Sequence, residues 1–305
     1  MRILVTGANG YLGKSLIRSL LEKNFIIFAI VRNSNKKHNE EFSKVNFIKL
    51  DLKNKRKLDL KLKDIEPEII FHLSAFIPNM NEKKYYTRSY RDNLLVTRNI
   101  LNYASKIKCL KKIIFSSSIS IFTNINSKKK IFSENDTPKP TNHYGLHKLK
   151  AELDITYWAR YNNKCAIILR FSGIHGYPRC SGVIFNFLTS AVKNNFIEVN
   201  KPNYYFSFLF LDDAINACKA ALLKDIKLGT TSIYHISGSD IISLAEVAFK
   251  IKAVLGKKIS INIKKTKNVN FSILCNRKAK KDLNWFPKKI DYRIKEYIKK
   301  LDIMY

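Results

Sequence analysis

Residues 2–21 read RILVTGANGYLGKSLIRSLL, and this segment is the most informative one for the fold. Its first five residues are an apolar run of the kind found in a buried parallel strand. Glycines then recur at every third position, Gly7, Gly10 and Gly13. After them, leucine and isoleucine repeat at the spacing of a helix face. A strand, a glycine-rich turn and a helix in this order predict a dinucleotide-binding unit.

Each glycine has its own predicted role in binding a dinucleotide. Gly7 permits a tight turn, Gly10 lets the backbone approach a pyrophosphate, and Gly13 lets the helix pack against the sheet. The pyrophosphate would lie over the helix N-terminus, where backbone N–H groups have no partner within the helix. We expect cofactor contacts from the whole turn, which also contains Asn9, Tyr11 and Leu12.

The end of the second predicted strand, residues 25–31, bears on which dinucleotide binds. NAD-specific sites usually carry a carboxylate about 20 residues past the glycines, where it binds the ribose hydroxyls. Here the sequence reads Val31-Arg32-Asn33, with an arginine next to that position. Because a guanidinium suits a ribose 2′-phosphate, Arg32 favours NADP(H), with NAD(H) as the alternative.

The YGLHK segment at residues 144–148 carries the predicted chemistry. Positions i and i+4 share a helix face, so the phenol of Tyr144 and the ammonium of Lys148 can point into one pocket. Tyrosine has an unperturbed pKa of about 10, and a neighbouring cation lowers it towards the range useful for proton transfer. Ser118 lies upstream, and its hydroxyl can hold a substrate oxygen. We predict carbonyl–alcohol interconversion with Ser118, Tyr144 and Lys148 as catalytic residues and a nicotinamide carrying the hydride.

Apolar runs alternate with helical patterns along roughly the first 170 residues of the chain. The predicted strands are residues 2–6, 25–31, 45–50, 69–73, 112–116 and 165–170. Such alternation implies parallel strands joined by right-handed crossovers, that is, an α/β fold with a doubly wound Rossmann sheet. We expect cofactor and substrate to meet beyond the carboxyl ends of these strands.

The pattern becomes less regular from about residue 173, which predicts a small C-terminal substrate-binding lobe. We assign residues 1–172 to an NAD(P)-binding domain that also receives roughly residues 206–238. Residues 173–305 are assigned mainly to the substrate lobe. Residues 123–142, rich in lysine and asparagine, are predicted to form a long loop before the helix that carries Tyr144.

Composition limits the class of protein. The chain has 305 residues, 46% of them hydrophobic, and five scattered cysteines with no Cys-x-x-Cys pair. These features favour a globular protein with reduced thiols, without a disulfide framework or a metal site. No run of roughly 18 apolar residues is present, so we expect no membrane span. The N-terminus is predicted to be the first strand rather than a signal peptide, which favours a cytoplasmic protein.

The formal net charge of +32 raises the question of polyanion binding. The basic residues are spread along the whole chain, and Lys, Asn, Ile, Phe and Tyr are abundant together, which is typical of codon bias in an AT-rich genome. We therefore expect a solvated basic surface that assists capture of an anionic ligand, and no specific nucleic-acid partner.

These motifs together resemble the extended short-chain dehydrogenase/reductase family, which contains nucleotide-sugar epimerases, dehydratases and ketoreductases. The resemblance runs almost from end to end. It implies that Lys148 binds the nicotinamide ribose and that Asn93 is a scaffold residue. The other cofactor contacts that it implies are Asp51 and Leu52 beside the adenine and, along the groove, Leu73, Ser74 and Ala75.

Three departures from the family pattern bear on the substrate. Ile119 and Ser120 stand where the sugar 4,6-dehydratases carry an Asp-Glu pair, so elimination chemistry is not supported. Gly173 replaces an asparagine that contacts substrate in many epimerases, and Phe206 replaces an arginine that often binds the phosphates of the sugar nucleotide. The predicted substrate-binding positions are Ser118, Tyr144, Gly173 and Phe206.

The resemblance implies an enzyme that transfers a hydride at a sugar carbon, most often C4 in this family, of a nucleotide-activated sugar. Two outcomes stay open. Arg32 favours a 4-ketoreductase that consumes NADPH, whereas the strand end at residues 118–122 is more similar to epimerases, which hold NAD⁺ and recycle it.

Two further hypotheses belong to other functional classes. One is a reductase of non-nucleotide carbonyl compounds, which Gly173 and Phe206 leave open. The other is a catalytically silent cofactor-sensing protein of the same fold.

The family resemblance also implies a homodimer. Relatives often dimerise through two helices, and the corresponding helices here carry Asn93 and Tyr144.

Overall fold

The computed structural model describes residues 1–33, 42–78, 85–122, 130–256, 258–266 and 270–301. The chain forms two compact units. The first contains Met1–Phe122, Thr137–Arg170 and Cys218–Tyr234, and the second contains Thr123–Asp136, Phe171–Ala217 and His235–Tyr305. Each unit encloses a hydrophobic core of its own.

The strands and helices are numbered in chain order. The strands are β1 (Arg2–Thr6), β2 (Ile26–Val31), β3 (Val45–Lys49), β4 (Ile69–His72), β5 (Lys112–Ser118), β6 (Lys130–Phe132), β7 (Cys165–Phe171), β8 (Ile174–His175), β9 (Phe196–Val199), β10 (Tyr204–Phe206), β11 (Leu209–Phe210), β12 (Thr231–Ile236), β13 (Ile242–Ser243), β14 (Ser260–Ile263) and β15 (Asn270–Leu274). The α-helices are α1 (Tyr11–Leu20), α2 (Lys55–Leu62), α3 (Tyr86–Ser89), α4 (Val96–Ala104), α5 (His143–Tyr161), α6 (Val183–Asn194), α7 (Leu211–Leu223), α8 (Leu244–Leu255), α9 (Arg277–Leu283) and α10 (Ile290–Leu301). A π-helical segment, Tyr90–Leu95, joins α3 to α4, and a 3-10 turn, Ile119–Ile121, follows β5.

The first unit is built on a seven-stranded sheet in the order β12-β7-β5-β4-β1-β2-β3. Strand β1 pairs in parallel with both β2 and β4, β2 with β3, and β4 with β5. The chain therefore adds β2 and β3 on one side of β1 and then crosses to β4 and β5 on the other. The space beyond the carboxyl ends of β1 and β4 is the switch point at which such sheets bind ligands. The predicted α/β, doubly wound Rossmann fold is confirmed.

The burial of β1 on both faces explains why its sequence predicted a strand. Ile3, Leu4 and Val5 are fully buried, so both faces of β1 are covered. A strand buried on both faces is a continuous apolar run rather than an alternating one. The six predicted strands between residues 2 and 170 occur within two residues of their expected bounds.

The second unit contains smaller sheets and three longer helices. Its four-stranded sheet has the order β13-β10-β15-β6, and β11 pairs with β8 and β14 with β9 in parallel. Helix α8 begins with a capping box in which Ser243 and Glu246 bond each other's backbone N–H groups. Arg293 of α10 binds the carboxylate of Asp213 through Nε at 2.9 Å, and both side chains are buried.

One expectation about a loop is wrong. Residues 123–142 were predicted to be a loop, but Lys130–Phe132 form β6 and pair in parallel with β15. Strand β15 lies far along the chain, so no local sequence pattern indicates its pairing with β6. Residues 123–129 of the predicted loop lie outside the described residues.

Candidate functional site: a dinucleotide cavity and a Ser-Tyr-Lys arrangement

The glycine-rich turn after β1 needs glycine for steric reasons. Gly7 has a φ of +69°, and a Cβ placed on it would lie 2.8 Å from the backbone nitrogen of Ser74. A Cβ on Gly13 would lie 2.3 Å from the carbonyl oxygen of Gly7. The turn is thus packed against both the loop after β4 and the start of α1, and no larger residue fits at either position.

A cavity of about 350 Å³ opens beside this turn, at the carboxyl ends of the first four strands. Its walls are Gly7, Asn9, Gly10, Ile30, Val31, Arg32, Asn33, Leu50, Asp51, Leu52, Leu73, Ser74, Ala75 and Asp92. Most of the predicted cofactor-binding residues therefore line one cavity. Tyr11, Leu12 and Gly13 lie in the first turn of α1, outside these walls, and Lys148 lies on α5.

The cavity has the features that a dinucleotide needs. Helix α1 starts at Gly10 without a side-chain cap and without an acidic residue in its first turn, so its first N–H groups can bind phosphate oxygens. Arg32 is exposed on the cavity wall, and Asn9 fixes the adjacent turn by donating from Nδ2 to the carbonyl of Asn33 at 2.9 Å. These residues fit the adenosine and pyrophosphate parts of NAD or NADP.

A buried hydrogen-bond chain supports the cavity wall from behind. The Thr97 hydroxyl donates to the carbonyl of Asn93 at 2.6 Å, so its oxygen can accept from Nε2 of His72 at 3.0 Å. Nδ1 of His72 then accepts from the Thr6 hydroxyl at 2.7 Å, and Thr6 in turn accepts from the Ser74 N–H at 3.2 Å. Burial lowers the pKa of His72 to about 3, which keeps it neutral and suited to this structural role.

Asn93 and Asn99 fix two loops of the wall. Asn93, in the π-helical segment, accepts from the N–H of Phe76 at 2.8 Å and donates to its carbonyl at 3.0 Å. Asn99 donates from Nδ2 to the carbonyl of Leu52 at 2.8 Å. The sequence indicated Asn93 as a scaffold residue only through the resemblance, and nothing in the sequence indicated Asn99.

The three predicted catalytic residues lie close together in the first unit. Ser118 ends β5, and Tyr144 and Lys148 lie one turn apart on the buried side of α5. Hydrogen bonding by the Ser118 side chain acts to lower the pKa of the Tyr144 phenol. Nζ of Lys148 lies 6.0 Å from the centre of the Tyr144 ring and donates to the carbonyl of Ser116 at 2.7 Å.

Burial has the largest effect on the pKa values of Tyr144 and Lys148. It raises the pKa of Tyr144 to about 12, and the Ser118 hydrogen bond opposes that rise. Burial also lowers the pKa of Lys148 to about 7, while the charge of Glu152 raises it. Both groups are therefore neutral more readily than in water.

Glu152 belongs to a buried ion pair that the sequence analysis missed. Arg170 of β7 binds it through Nε at 3.1 Å and through its terminal nitrogen at 2.7 Å, and the Ser117 hydroxyl donates to it as well. The side chains of Glu152 and Arg170 are 3% and 4% exposed. Glu152 lies one helical turn after Lys148, and this i, i+4 spacing was the only signal available.

Gly145 and Ser120 were also missed. A Cβ on Gly145 would lie 2.0 Å from the carbonyl oxygen of Ser120, so α5 can approach the 3-10 turn only with glycine here. A glycine inside a helix destabilises it by about 1 kcal/mol relative to alanine, which signals a packing reason at such a position. Ser120 contacts Ser118 directly, with its N–H 3.1 Å and its hydroxyl 3.2 Å from the Ser118 hydroxyl oxygen.

The two remaining predicted positions, Gly173 and Phe206, lie in the second unit. Gly173 is exposed and precedes β8, and a Cβ there would meet only the ring of His175 at 3.5 Å. Phe206 ends β10, and its ring lies 5.3 Å from that of Phe208. Their predicted contact with substrate stays a prediction.

Two further properties concern the residues that the structure describes. In that part of the chain no three or more His, Cys, Asp or Glu side chains cluster as metal ligands would. Nor is any of the helices found there long and apolar enough to cross a membrane. All five cysteines are free thiols.

This chain is similar to known proteins in both sequence and fold. A model of the NAD dependent epimerase/dehydratase family matches residues 3–237. A Methanocaldococcus jannaschii protein with the provisional name UDP-glucose 4-epimerase is 26% identical over 300 residues, 93% of this chain and 97% of the relative. The Escherichia coli dTDP-4-dehydro-6-deoxyglucose reductase is 25% identical over 93% of this chain and 92% of its own. The Bacillus cereus UDP-glucuronic acid 4-epimerase, solved with UDP-glucuronic acid and NAD, has the same fold, with a TM-score of 0.82 at 24% identity over 99% of this chain and 100% of that one.

Proposed function

Because this chain belongs to the NAD dependent epimerase/dehydratase family, we propose that it transfers a hydride at a sugar carbon, C4, of a nucleotide-activated sugar. The observation that carries the proposal is that Tyr144 and Lys148 are buried one turn apart on α5, with Nζ of Lys148 6.0 Å from the centre of the Tyr144 ring. These groups lie at the carboxyl edge of the sheet that also bears the dinucleotide cavity. The chain thus has an acid–base group and a cofactor cavity on one sheet edge.

Each residue has a defined task in this proposal. Tyr144 takes the proton of the sugar hydroxyl as the carbonyl forms and returns it when the carbonyl is reduced. Ser118 donates a hydrogen bond to the reacting oxygen, and the charge of Lys148 favours the phenolate of Tyr144. A bound nicotinamide supplies the hydride acceptor and donor. Gly7, Gly10 and the start of α1 hold the pyrophosphate.

Two reaction outcomes remain within this proposal. An epimerase oxidises and reduces the same sugar with no net redox change, whereas a 4-ketoreductase consumes reduced cofactor. Arg32 on the cavity wall supports the second outcome, because a guanidinium there suits NADPH. A reductase of non-nucleotide carbonyl compounds is a second candidate, supported by Gly173 and Phe206 at positions where the family resemblance implies contacts to the sugar nucleotide.

Turnover of a defined panel separates these candidates. The purified protein is incubated with UDP-, GDP- and dTDP-sugars and their 4-keto forms, with NAD⁺ or NADPH, and the products are analysed by chromatography and mass spectrometry. An epimerase gives a product of unchanged mass, and a ketoreductase gives one that has gained two hydrogens. Turnover of simple carbonyl compounds alone, without competition by UDP, GDP or dTDP, would contradict action on a nucleotide sugar.

We also propose that the cofactor is NADP(H) in preference to NAD(H), and that Arg32 sets this preference. Arg32→Ala should weaken NADPH binding roughly 10- to 100-fold, because a charge-assisted contact to a phosphate is lost, and leave NADH binding nearly unchanged. Binding is followed by nicotinamide fluorescence, with the exposed Arg56→Ala of α2 as the matched control. Equal losses for both cofactors would contradict the assignment.

Three broader proposals concern the domains, the oligomeric state and the cellular compartment. Residues 1–172 with roughly 206–238 form the cofactor domain, and most of residues 173–305 form the substrate lobe. The protein is a homodimer through the helices that carry Asn93 and Tyr144, and it works in the cytoplasm. Light scattering of the purified protein tests the dimer.

A further inference from the structure

We propose that Phe115 is a positioning residue for the reaction, and that its ring holds the Lys148 ammonium in its charged form through a cation–π contact. This inference deepens the proposed function and rests on it for its catalytic meaning, because there the charge of Lys148 favours the phenolate of Tyr144. The contacts that support it involve residues of β4, β5, β7 and α5 that all belong to the first unit.

The first observation is the place of the Lys148 ammonium over an aromatic ring. Its Nζ lies over the Phe115 ring, 4.5 Å from the ring centre. An ammonium within about 6 Å of the centre of an aromatic face is attracted by the negative face of the ring quadrupole. The Tyr144 ring lies at the limit of that range, with its centre 6.0 Å from Nζ. Phe115 therefore makes the stronger of the two aromatic contacts.

The second observation is how little polar solvation this ammonium has. Lys148 is 1% exposed, so water contributes little to it. Of its three N–H donors, one is used by the Ser116 carbonyl at 2.7 Å, the acceptor that Nζ reaches among the described residues. A buried charge is costly unless it is compensated, and the Phe115 ring offsets part of that cost. Since the ring attracts the charge rather than accepting an N–H, two donors stay available to a nicotinamide ribose.

The third observation is that strand β5 fixes both contacts. Phe115 is buried and belongs to the same hydrophobic core cluster as Ala151 and Ile155 of α5. Its neighbour in the strand, Ser116, supplies the carbonyl that accepts from Nζ. Two consecutive residues of β5 thus hold the ammonium of Lys148, and the ring cannot turn away without disturbing the packing of α5 on the sheet.

The other titratable groups around Lys148 do not replace the ring. The charge of Glu152, one turn further along α5, raises the pKa of Lys148, but its carboxylate is paired with Arg170 of β7. The ring of His72 on β4 lies 5.5 Å from that of Phe115, centre to centre, and burial keeps the imidazole neutral. Among the described residues, Lys148 thus has no carboxylate of its own, and no second cation lies over the Phe115 ring.

The test weakens the ring quadrupole with little change in the shape of the side chain. Phe115 is replaced, by amber suppression, with phenylalanine that carries one, two or three ring fluorines. Lysine isotopically labelled at the carbon next to Nζ reports each ammonium by NMR, and Lys148→Met assigns the signal of residue 148. Because burial brings the pKa of Lys148 to about 7, this signal titrates apart from those of exposed lysines. Successive fluorines should lower that pKa stepwise, by about one unit with three, because the charged form loses the attraction.

Phe71 provides the matched control for fluorination of a buried ring. It is fully buried on the neighbouring strand β4, next to His72, which pairs in register with Phe115. Because consecutive strand residues point to opposite faces, Phe71 lies on the other face of the sheet from Phe115. Three fluorines at position 71 should therefore leave the pKa of Lys148 unchanged.

Turnover provides the second measurement. With a nucleotide sugar that the wild type converts, three fluorines at position 115 should move the alkaline fall of kcat to lower pH by about one unit and leave KM for the sugar within about twofold. If the pKa shifts but no nucleotide sugar is converted, the proposed function fails and the role of Phe115 in keeping Lys148 charged stands. A pKa of Lys148 that stays constant through the fluorine series, or that falls equally with fluorines at position 71, would overturn the inference. So would a pH profile of kcat that does not follow the shifted pKa.

Discussion

Tyr144 meets two opposing demands at the scale of a single residue. In the proposed reaction its ring faces a substrate away from water, but burial also raises the pKa of Tyr144 to about 12. Proton transfer near neutral pH requires the phenolate to be accessible at a lower pH. Ser118 and Lys148 are the groups positioned to favour the phenolate, and their effects must add to overcome burial.

Tyr144→Phe tests the role of the phenol alone. The variant keeps the ring and the packing of α5 but cannot take or return a proton. We expect turnover to fall by at least about a hundredfold, the lower range for loss of a general acid–base group. Cofactor binding should stay within about twofold of the wild type, since the residue lies outside the walls of the dinucleotide cavity. Retained turnover would remove Tyr144 from the mechanism.

The burial of Lys148 destabilises the folded protein by an amount that depends on pH. Burial lowers its pKa from 10.5 in the unfolded chain to about 7. Between these values the unfolded chain binds more protons than the folded one, so this group makes folding more favourable as the pH rises from about 7 to 10.5. Below about pH 7 the full cost of burying the charge is present.

Lys148→Met removes that cost together with the proposed function of the charge. We expect the melting temperature to rise by a few degrees at pH 6 and the gain to shrink towards pH 10, with turnover lost at both values. Scanning calorimetry across this range measures the effect, and the exposed Lys150→Met on the same helix is the control. A gain that is independent of pH would show that packing rather than charge is responsible.

Helix α5 shows how an element can bury polar residues on several faces. Tyr144 and Lys148 belong to the proposed catalytic arrangement, Glu152 pairs with Arg170, and His147 bonds to the hydroxyl of Ser89 at 2.9 Å. Buried polar groups are tolerated when they have hydrogen-bond partners. Since its partners lie on β5, β7 and α3, the helix is held in one position relative to these elements.

The contact of α5 with the 3-10 turn predicts a strong effect of a small substitution. Gly145→Ala would stabilise an isolated helix by about 1 kcal/mol. Here the added Cβ lies 2.0 Å from the Ser120 carbonyl, so α5 and the turn must separate. We expect a net loss of roughly 1–3 kcal/mol in unfolding free energy, from denaturant titration, and lower turnover. Lys150→Ala at an exposed position of α5 should be neutral, and a stabilised Gly145→Ala variant would contradict the packing.

At the level of elements, local patterns explain what was predictable. Strand β1, the glycine turn and α1 are contiguous, and their apolar and glycine positions are set by local geometry. Strand β6 was missed because its pairing with β15 joins distant segments. Gly145 with Ser120, and Glu152 with Arg170, were missed for the same reason, since each contact exists only once α5 packs on the sheet.

At the scale of the whole molecule, the charge of +32 is the least ordinary property. The chain has 56 Lys and Arg against 24 Asp and Glu, so repulsion within the compact folded state is not balanced by ion pairs. The same charge should assist capture of phosphate-bearing ligands such as a dinucleotide or a nucleotide sugar. The sequence revealed the charge directly but not its relation to the site.

Salt should therefore stabilise this protein. Raising sodium chloride from about 10 mM to about 200 mM shortens the Debye length from about 30 Å to below 10 Å and screens the repulsion. We expect the melting temperature to rise by several degrees over this range, measured by calorimetry, with an isosmotic sucrose series as the control for exclusion effects. A falling melting temperature would indicate that attractive pairs outweigh the repulsion.

The most direct measurement of the central claim is hydride transfer in a single turnover. The protein is loaded with oxidised cofactor and mixed with UDP-, GDP- or dTDP-sugars that carry deuterium at C4, and the nicotinamide absorbance and the isotope in the reduced cofactor are recorded. The proposed chemistry predicts that at least one sugar reduces the nicotinamide and transfers its deuterium in the wild type, and that Tyr144→Phe binds the same sugar without transfer. Absence of reduction by every sugar, with the cofactor demonstrably bound, would contradict the claim.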